Sequence, residues 1–313
     1  MIYRNPYLIM LWWPILALTI ALTGPSQYIL HILIIAGIYV ILAQSLHLVL
    51  GQLGLLSLGI PAFFGIGAYA ETLLSVHFGM DNLLSLVLVA GITFGSALVI
   101  GVPSLRLSSH SFVIVTLSFA LLLQVIAFHW ISLTRGALGF PDIPAPSVLG
   151  FSWTDKNAWL IAILILDILT FAVFIRIKTS RFGRSLAATK GNEDLARAVG
   201  FNTFRVKLLA FAISGTLAGI AGAAYAHYIT FIDPNLFGFS VTENLLIMVV
   251  LGGSGTFFGP MIGAVVFTVL PELLRFSPEF RTLLYGFLLL VAMLRFPRGL
   301  GELTSRIRRE KQR

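Results

Sequence analysis

The 313-residue sequence contains no cysteine and little charge: Asp, Glu, Lys and Arg together make up 11% of it. Without cysteine the chain can form neither a disulfide framework nor a thiolate metal site. A soluble domain of average composition carries roughly 25% charged residues. Since hydrophobic residues make up 58% of the chain, it has too little polar surface to cover a globule in water. The composition therefore indicates an integral membrane protein.

The sequence also lacks the motifs of nucleotide binding and catalysis. No Gly-Lys pair occurs, so there is no Walker A loop for ATP. There is no His-Glu-x-x-His zinc motif, and Ser254 lacks the Gly-x-Ser-x-Gly frame of a nucleophile elbow. The six histidines are scattered. We therefore predict no catalytic residue, no cofactor site and no metal site. If ATP drives this protein, another chain hydrolyses it.

Ten apolar segments are candidates for crossing a bilayer, which takes about 20 residues. The predicted spans are roughly 7–24, 28–50, 57–78, 83–103, 111–131, 158–177, 208–229, 242–253, 260–275 and 281–297. The eighth is short and runs into four residues, Gly252 to Gly255, that disfavour a straight helix. Since irregular backbone at membrane depth needs protein or water around it, we expect a broken or re-entrant eighth span. Ten spans allow two inverted five-helix halves.

Basic residues are distributed unevenly between the two sides that this arrangement predicts. The formal net charge is +8, with the excess beside apolar runs, so we predict membrane topology signals and no nucleic-acid partner. Of the 21 Lys and Arg residues, only Arg135, Lys156, Arg275 and Arg281 would lie outside. Both termini are therefore expected in the cytoplasm and 132–157 outside. The first apolar run has no convincing cleavage site and is interpreted as a retained span.

Residues 178–207 form a basic region between two predicted spans and are expected to lie in the cytoplasm. Ser180 is a plausible N-cap for a short helix that Gly191 would end. Asn192 can cap a second short helix that Gly200 would end. Two capped helices predict a compact docking surface for a cytosolic partner. The alternative is a solvated loop held to anionic lipid by its charge.

Small residues and buried acids mark contacts between the predicted spans. Small-residue stripes run along the seventh span, at Gly215/Gly219/Ala223 and Ser214/Ala218/Gly222/Ala226, and Gly91/Gly95 and Gly259/Gly263 repeat the spacing. We expect close helix packing there. Asp167 lies in mid-span, and we expect it to be paired structurally with Gln44 or a serine of a neighbouring span. Glu71 and Glu243 lie near span ends.

Three stretches resemble the permease subunits of bacterial ABC importers of the branched-chain amino-acid class. They are GQLGLLSLGIPAFFGIGAYA (51–70), SRFGRSLAATKGNEDLARAVGFNTFRVKLLAFAISGTLAGIAGAAYAHY (180–228) and SVTENLLIMVVLGGSGTFFGPMIGAVV (240–266). The likeness covers nearly the whole chain. Two features depart from the family: Ile60-Pro61 replaces the usual His-Ala or His-Gly, and Asp167 is unexpected.

The resemblance implies an all-α transmembrane domain over 1–313 in a bacterial inner membrane. It implies a sibling permease, usually in a heterodimer, two cytosolic ATP-binding subunits and an external substrate-binding protein. The coupling helix that contacts the ATPase would include Glu193, Asp194, Arg197, Ala198 and Gly200, and small apolar Ala196, Ala198 and Val199 would suit insertion in a groove.

The translocation pathway predicted from the glycine-rich stretches contains Ser57, Gly59, Gly65, Tyr69, Glu243, Gly252, Gly253 and Gly255. The implied cargo is a branched-chain amino acid. The alternatives are the same machinery carrying urea, a short amide or another small polar solute, and a stand-alone secondary transporter.

Overall fold

The computed structural model describes residues 12–144, 146–148, 151–152 and 155–273, and the fold is described for these residues. The helices are α1 (Trp12–Leu22), α2 (Gln27–His47), α3 (Ile60–Phe78), α4 (Asn82–Ser104), α5 (Ser109–His129), α6 (Ile131–Thr134), α7 (Lys156–Thr179), α8 (Arg181–Gly191), α9 (Glu193–Ala198), α10 (Thr203–Ile229), α11 (Phe239–Gly252) and α12 (Phe258–Leu273). A π-helical segment, Leu48–Leu53, continues α2, and 3-10 turns lie at Gly136–Leu138 and Pro234–Phe237. A two-residue hairpin pairs β1 (Ser147–Val148) with β2 (Phe151–Ser152).

Five helices are long and apolar enough to cross a membrane: α2 with its π-helical extension, α4, α5, α7 and α10. Shorter apolar helices are α1, α11 and α12. The prediction of an all-α membrane protein is confirmed. The count of ten spans stays a prediction, because the tenth, 281–297, lies outside the described residues, as does the C-terminal segment 298–313.

Glycines let α10 pack directly against the backbone of α3 and against side chains of α4. A methyl group built on Gly222 would lie 1.9 Å from the carbonyl oxygen of Phe64, and one on Gly67 would lie 2.1 Å from that of Gly219. On Gly219 it would lie 2.3 Å from the side chain of Thr93. The predicted close packing along the seventh span is confirmed. The close packing predicted at Gly91 and Gly95 is not found. A methyl group on either residue would meet nothing within 4 Å in the described chain.

The eighth predicted span is a short continuous helix, and the irregular backbone that we expected within it lies after it, between α11 and α12. Helix α11 has 14 residues, which at 1.5 Å per residue spans roughly 21 Å and falls short of a bilayer core. It ends where Gly253 takes a φ of 100°, a value that favours glycine. The Gln44 side chain of α2 donates a hydrogen bond from Nε2 to the carbonyl oxygen of Phe257 at 3.1 Å. This bond satisfies one carbonyl of the irregular segment from within the protein.

Replacement of Gly222 by Leu should disrupt the fold, because its Cβ would overlap the backbone of α3. Such overpacking costs about 1–3 kcal/mol or more. We expect lower abundance in the membrane and a lower melting temperature in detergent. The matched control is Gly91→Leu, on an exposed face of α4 with no neighbour at the added carbon. Equal stability of the two variants would contradict the packing assignment.

Candidate functional site

Helices α8 and α9 lie in the segment 178–207, for which we predicted a docking surface, and both begin at the expected caps. The Ser180 hydroxyl accepts a hydrogen bond from the Gly183 N–H at 3.2 Å. The Asn192 side chain accepts one from the Leu195 N–H at 3.0 Å. The prediction that Gly191 ends the first helix is confirmed. Gly191 is the last residue of α8, and the chain leaves through Asn192 in an extended conformation with φ −158°.

Gly200 ends α9 as predicted. Its φ is 96°, its N–H donates to the Arg197 carbonyl at 2.9 Å, and the Phe201 N–H donates to the Ala196 carbonyl at 3.0 Å. These two bonds form a Schellman motif, which satisfies the last carbonyls of the helix. The turn directs the chain from α9 into α10 within a few residues.

A polar network holds α9 to the first turns of α10. Glu193 Oε1 accepts hydrogen bonds from Arg197 Nη2 at 2.7 Å and Thr203 Oγ1 at 3.1 Å, and Oε2 pairs with the Lys207 ammonium. Partial burial works to raise the pKa of Glu193, but the Lys207 hydrogen bond and charge, with Thr203 and Arg197, hold that pKa below its usual range. Glu193 therefore faces its own chain, whereas the Asp194 side chain is 95% exposed.

The outer surface of α9 is apolar. Leu195 and Val199, one helical turn apart, are 65% and 72% exposed, and Ala198 beside them is also exposed. Ala196, which we expected to enter a partner's groove, is 4% exposed and packs into this chain instead. We did not single out Leu195 from the sequence, although its i,i+4 spacing from Val199 was a usable signal. Leu195, Ala198 and Val199 together are called the apolar tip below.

Substitution of Gly200 by Val should loosen α9, because a non-glycine residue in the left-handed region costs roughly 1–2 kcal/mol and Val is β-branched. Hydrogen exchange of the Gly200 and Phe201 amides should accelerate in the variant. Gly200→Asn is the matched control, since asparagine tolerates this conformation and an added side chain meets nothing within 4 Å there. Unchanged protection in Gly200→Val would argue against the strained turn.

Two residues predicted for the translocation pathway, Ser57 and Gly59, lie in an irregular loop, 54–59, that passes between α5 and α11. The Leu58 N–H donates to Thr116 Oγ1 at 3.2 Å, and its carbonyl accepts from Thr242 Oγ1 at 3.4 Å. The buried Ser57 hydroxyl accepts from the Gly59 N–H at 3.3 Å. These bonds satisfy the loop backbone and place Ser57 and Gly59 between the two helices.

The other predicted pathway residues fall into a packed group and a surface group. Gly65 and Tyr69 of α3 pack against Phe237: a methyl group on Gly65 would lie 2.3 Å from its ring, and the Tyr69 ring stacks on it at 5.5 Å. Gly252 and Gly253 are buried at the contact of α11 with α12. Glu243 and Gly255 are exposed. Ser57 and Gly59 belong to the loop 54–59, which is called the Leu58 loop below. Glu243 follows Thr242 in α11, and the Thr242 side chain bonds to this loop.

Asp167 in mid-α7 is fully buried and is paired with α1. Its Oδ2 accepts a hydrogen bond from the Trp13 indole at 3.1 Å. The prediction of a structural partner for Asp167 is confirmed, but the proposed Gln44 partner is wrong. Gln44 donates instead to the Phe257 carbonyl, in the segment between α11 and α12. Trp13 lies 154 residues away in sequence, so no local pattern could have identified it.

Glu71, near the end of α3, is held by a network that we did not predict. Its Oε1 lies 2.8 Å from His227 Nε2 of α10 and accepts from Ser85 of α4. His227 Nδ1 donates to the carbonyl oxygen of Pro144 in the loop before α7 at 2.9 Å. This network joins three helices and a loop at one end of the bundle, which is a structural role.

An apolar helical bundle with two short capped helices between its long apolar helices defines an integral membrane protein. Comparison with known proteins gives its family. Residues 28–293 match the family model of the permease component of branched-chain amino acid transport systems. The chain belongs to this family of ABC importer permeases.

Individual relatives have similar descriptions. The high-affinity branched-chain amino acid transport system permease protein LivM of Salmonella typhimurium is 31% identical over 290 residues, covering 85% of this chain and 68% of the relative. LivH of the same organism is 25% identical over 284 residues, covering 84% and 90%. The autoinducer 2 import system permease protein LsrC of Photorhabdus laumondii is 32% identical over 186 residues, covering 55% and 53%. No solved structure matches significantly.

Proposed function

We propose that this subunit conducts branched-chain amino acids inward across the bacterial inner membrane, using ATP hydrolysed by a separate subunit. The observation that carries the proposal is the apolar tip of α9. Leu195, Ala198 and Val199 expose apolar surface on a short helix that is capped at both ends and tied to α10 through Glu193. An isolated carrier has no need for such a surface, whereas a helix inserted into an ATPase groove does.

The proposed assembly contains a sibling permease, two cytosolic ATP-binding subunits and an external substrate-binding protein. Helix α9 is the coupling helix, with the apolar tip in the ATPase groove and Asp194 and Arg197 at its rim. Ten spans in two inverted halves, with both termini in the cytoplasm, agree with the basic-residue bias. The short α11, with 14 residues, fits the discontinuous helices common in transporters.

The proposed route for the solute borders the Leu58 loop. Ser57 and Gly59 lie there between α5 and α11, and Glu243 is exposed on α11 beside Thr242, whose hydroxyl bonds to the loop. Carboxylate, hydroxyl and backbone groups at this point suit a small zwitterion. The packed residues Gly65, Tyr69, Gly252 and Gly253 support the walls of this route, and Gly255 lies at its cytosolic end.

The close alternative is another small polar solute carried by the same machinery. The observation that favours it is the match to an autoinducer 2 permease, which shares 32% identity over 186 residues. Ile60-Pro61, directly after Gly59, departs from the family where the proposed route passes. Binding of candidate solutes to the cognate substrate-binding protein separates the two possibilities.

The proposed orientation predicts opposite labelling of two exposed positions. The chain has no native cysteine, so single cysteines report cleanly. A cysteine at Leu138, where the native side chain is 83% exposed, should react with an impermeant maleimide in intact cells. A cysteine at Asp194, 95% exposed, should react only after permeabilisation. Labelling of the Asp194 position from outside would overturn the topology.

The coupling assignment predicts that Ala198→Asp uncouples the transporter. In the docked state the carboxylate would be buried without a partner, which costs about 3–5 kcal/mol. Ala198 is exposed in the chain described here, so the permease itself should fold and insert normally. We expect loss of ATPase co-purification and of substrate-stimulated ATP hydrolysis in proteoliposomes.

The matched control is Thr179→Asp, which adds the same charge at an exposed position at the end of α7, away from the apolar tip. That variant should retain most ATPase binding. If Ala198→Asp retains the ATPase and its stimulation, α9 is not the coupling helix. If both variants lose the ATPase equally, the effect is one of net charge and the apolar tip has no special role.

A further inference from the structure

A cavity of about 590 Å³ lies beside the docking surface, and the function proposed above gives its basic residues no role. Its walls come from the end of α7, one face of α8, the π-helical segment after α2 and the break between α11 and α12. This volume is within the range of small-molecule sites, about 300–1,000 Å³. The cavity therefore has room for a ligand larger than a bare ion.

The rim of the cavity is basic. Lys178, Arg184 and Lys190 line it, and no Asp or Glu is among its lining residues in the described chain. None of the three cations takes part in an ion pair within the described residues. Lys190 donates from Nζ to the Gly51 carbonyl, at the end of the π-helical segment where carbonyls lack helical partners. Lys178 and Arg184 are left with free donors, and an anion would satisfy them.

The inner wall of the cavity is aromatic. Phe174 and Phe257 pack edge to face at 5.2 Å, and the His47 ring stacks on Phe174 at 6.2 Å. Phe174 and Leu186 are each 1% exposed and back this wall, whereas Phe257 and Ala187 are more exposed and offer apolar surface to the cavity. A basic rim above an apolar wall matches a ligand with an anionic head and an apolar body.

The position along α7 favours phosphate as the anion. Lys178 is in the last turn of a membrane-spanning helix, where basic side chains reach headgroup level. On the cytoplasmic side, an orientation that rests on the proposed function, anionic lipids concentrate phosphate at this depth. A planar guanidinium next to an ammonium is also a frequent phosphate-binding pair.

We propose that this cavity binds a phosphate-bearing ligand, with Lys178 and Arg184 holding the phosphate and Phe257 and Ala187 contacting the apolar part. The phosphate belongs either to an anionic phospholipid headgroup or to a soluble phosphate ester. A bound ligand would bridge α8 and the irregular segment between α11 and α12, two parts of the chain that are far apart in sequence.

The test is ligand binding by the full-length permease in detergent, measured by native mass spectrometry. Phosphatidylglycerol is titrated against phosphatidylcholine with the same acyl chains. The double variant Lys178→Gln/Arg184→Gln should weaken phosphatidylglycerol binding roughly tenfold or more, because it removes two charge-assisted contacts. The control is Arg176→Gln/Arg181→Gln, which removes the same charge from the same two helices at exposed residues outside the cavity.

Glycerol 3-phosphate and inorganic phosphate distinguish the two sources of the phosphate. If neither displaces phosphatidylglycerol at millimolar concentration, the ligand is the lipid. If glycerol 3-phosphate binds and the Lys178/Arg184 variant abolishes its binding, the ligand is soluble.

Three results would each overturn the proposal. The first is equal weakening in both double variants, which indicates general attraction to anionic lipid. The second is no weakening in the Lys178/Arg184 variant. The third is no preference for phosphatidylglycerol together with no binding of either soluble phosphate. None of these measurements involves transport or the ATPase, so failure here leaves the proposed function untouched.

Discussion

Contact between helix backbones at glycine is the constraint on which the rest of this structure depends. In lipid there is little hydrophobic force between helices, so association relies on van der Waals contact and hydrogen bonds. Helix α10 meets this requirement by bringing Gly219 and Gly222 against the side chain of Thr93 and the backbone of Phe64. Gly67 of α3 approaches Gly219 in return. Two faces of α10 are thus fixed, and α3 and α4 are positioned relative to it.

The irregular segments depend on the same bundle for their polar groups. The loop at Leu58 exchanges hydrogen bonds with Thr116 and Thr242, and the break after α11 takes one from Gln44. Each partner is a side chain on a neighbouring helix, so neither segment keeps its shape unless the helices stay in register. These two irregular segments are therefore held in place by the helices around them.

How much of this could be predicted depends on the distance between interacting residues. Local sequence was sufficient to predict that Ser180 and Asn192 cap helices and that Gly200 ends one. A cap or a left-handed turn involves only neighbours in sequence. Small-residue spacing correctly predicted packing on α10, but the same spacing at Gly91 and Gly95 has no neighbour in the described chain. Spacing indicates that a helix can approach closely, and only the fold determines whether another helix is there.

Partners distant in sequence were beyond prediction. Asp167 pairs with Trp13 of α1, and Glu71 pairs with His227 of α10. A buried acid in a span predicts a partner, because an unpaired acid is costly in lipid. The sequence does not show which of many side chains supplies the bond. The exposure of Leu195 and the burial of Ala196 likewise follow from how α9 sits against its own chain. Hydrophobicity alone ranks Leu195 as the more buried residue, which is the reverse of what is found.

The connection between α9 and α10 explains how a docked helix could act on the bundle. The ion pair of Glu193 with Lys207 and the hydrogen bond from Thr203 to Glu193 join the two helices across a turn of only four residues, 199–202. A displacement of α9 is therefore passed first to the start of α10. Because α10 contacts the backbone of α3 directly at Gly219 and Gly222, this contact has little freedom to absorb that displacement by changing rotamers. Close-packed helices shift as rigid bodies, so the displacement reaches α3, whose first residues follow the Leu58 loop. The same glycines that hold the bundle together thus provide a stiff physical route from the docking surface to the proposed solute route.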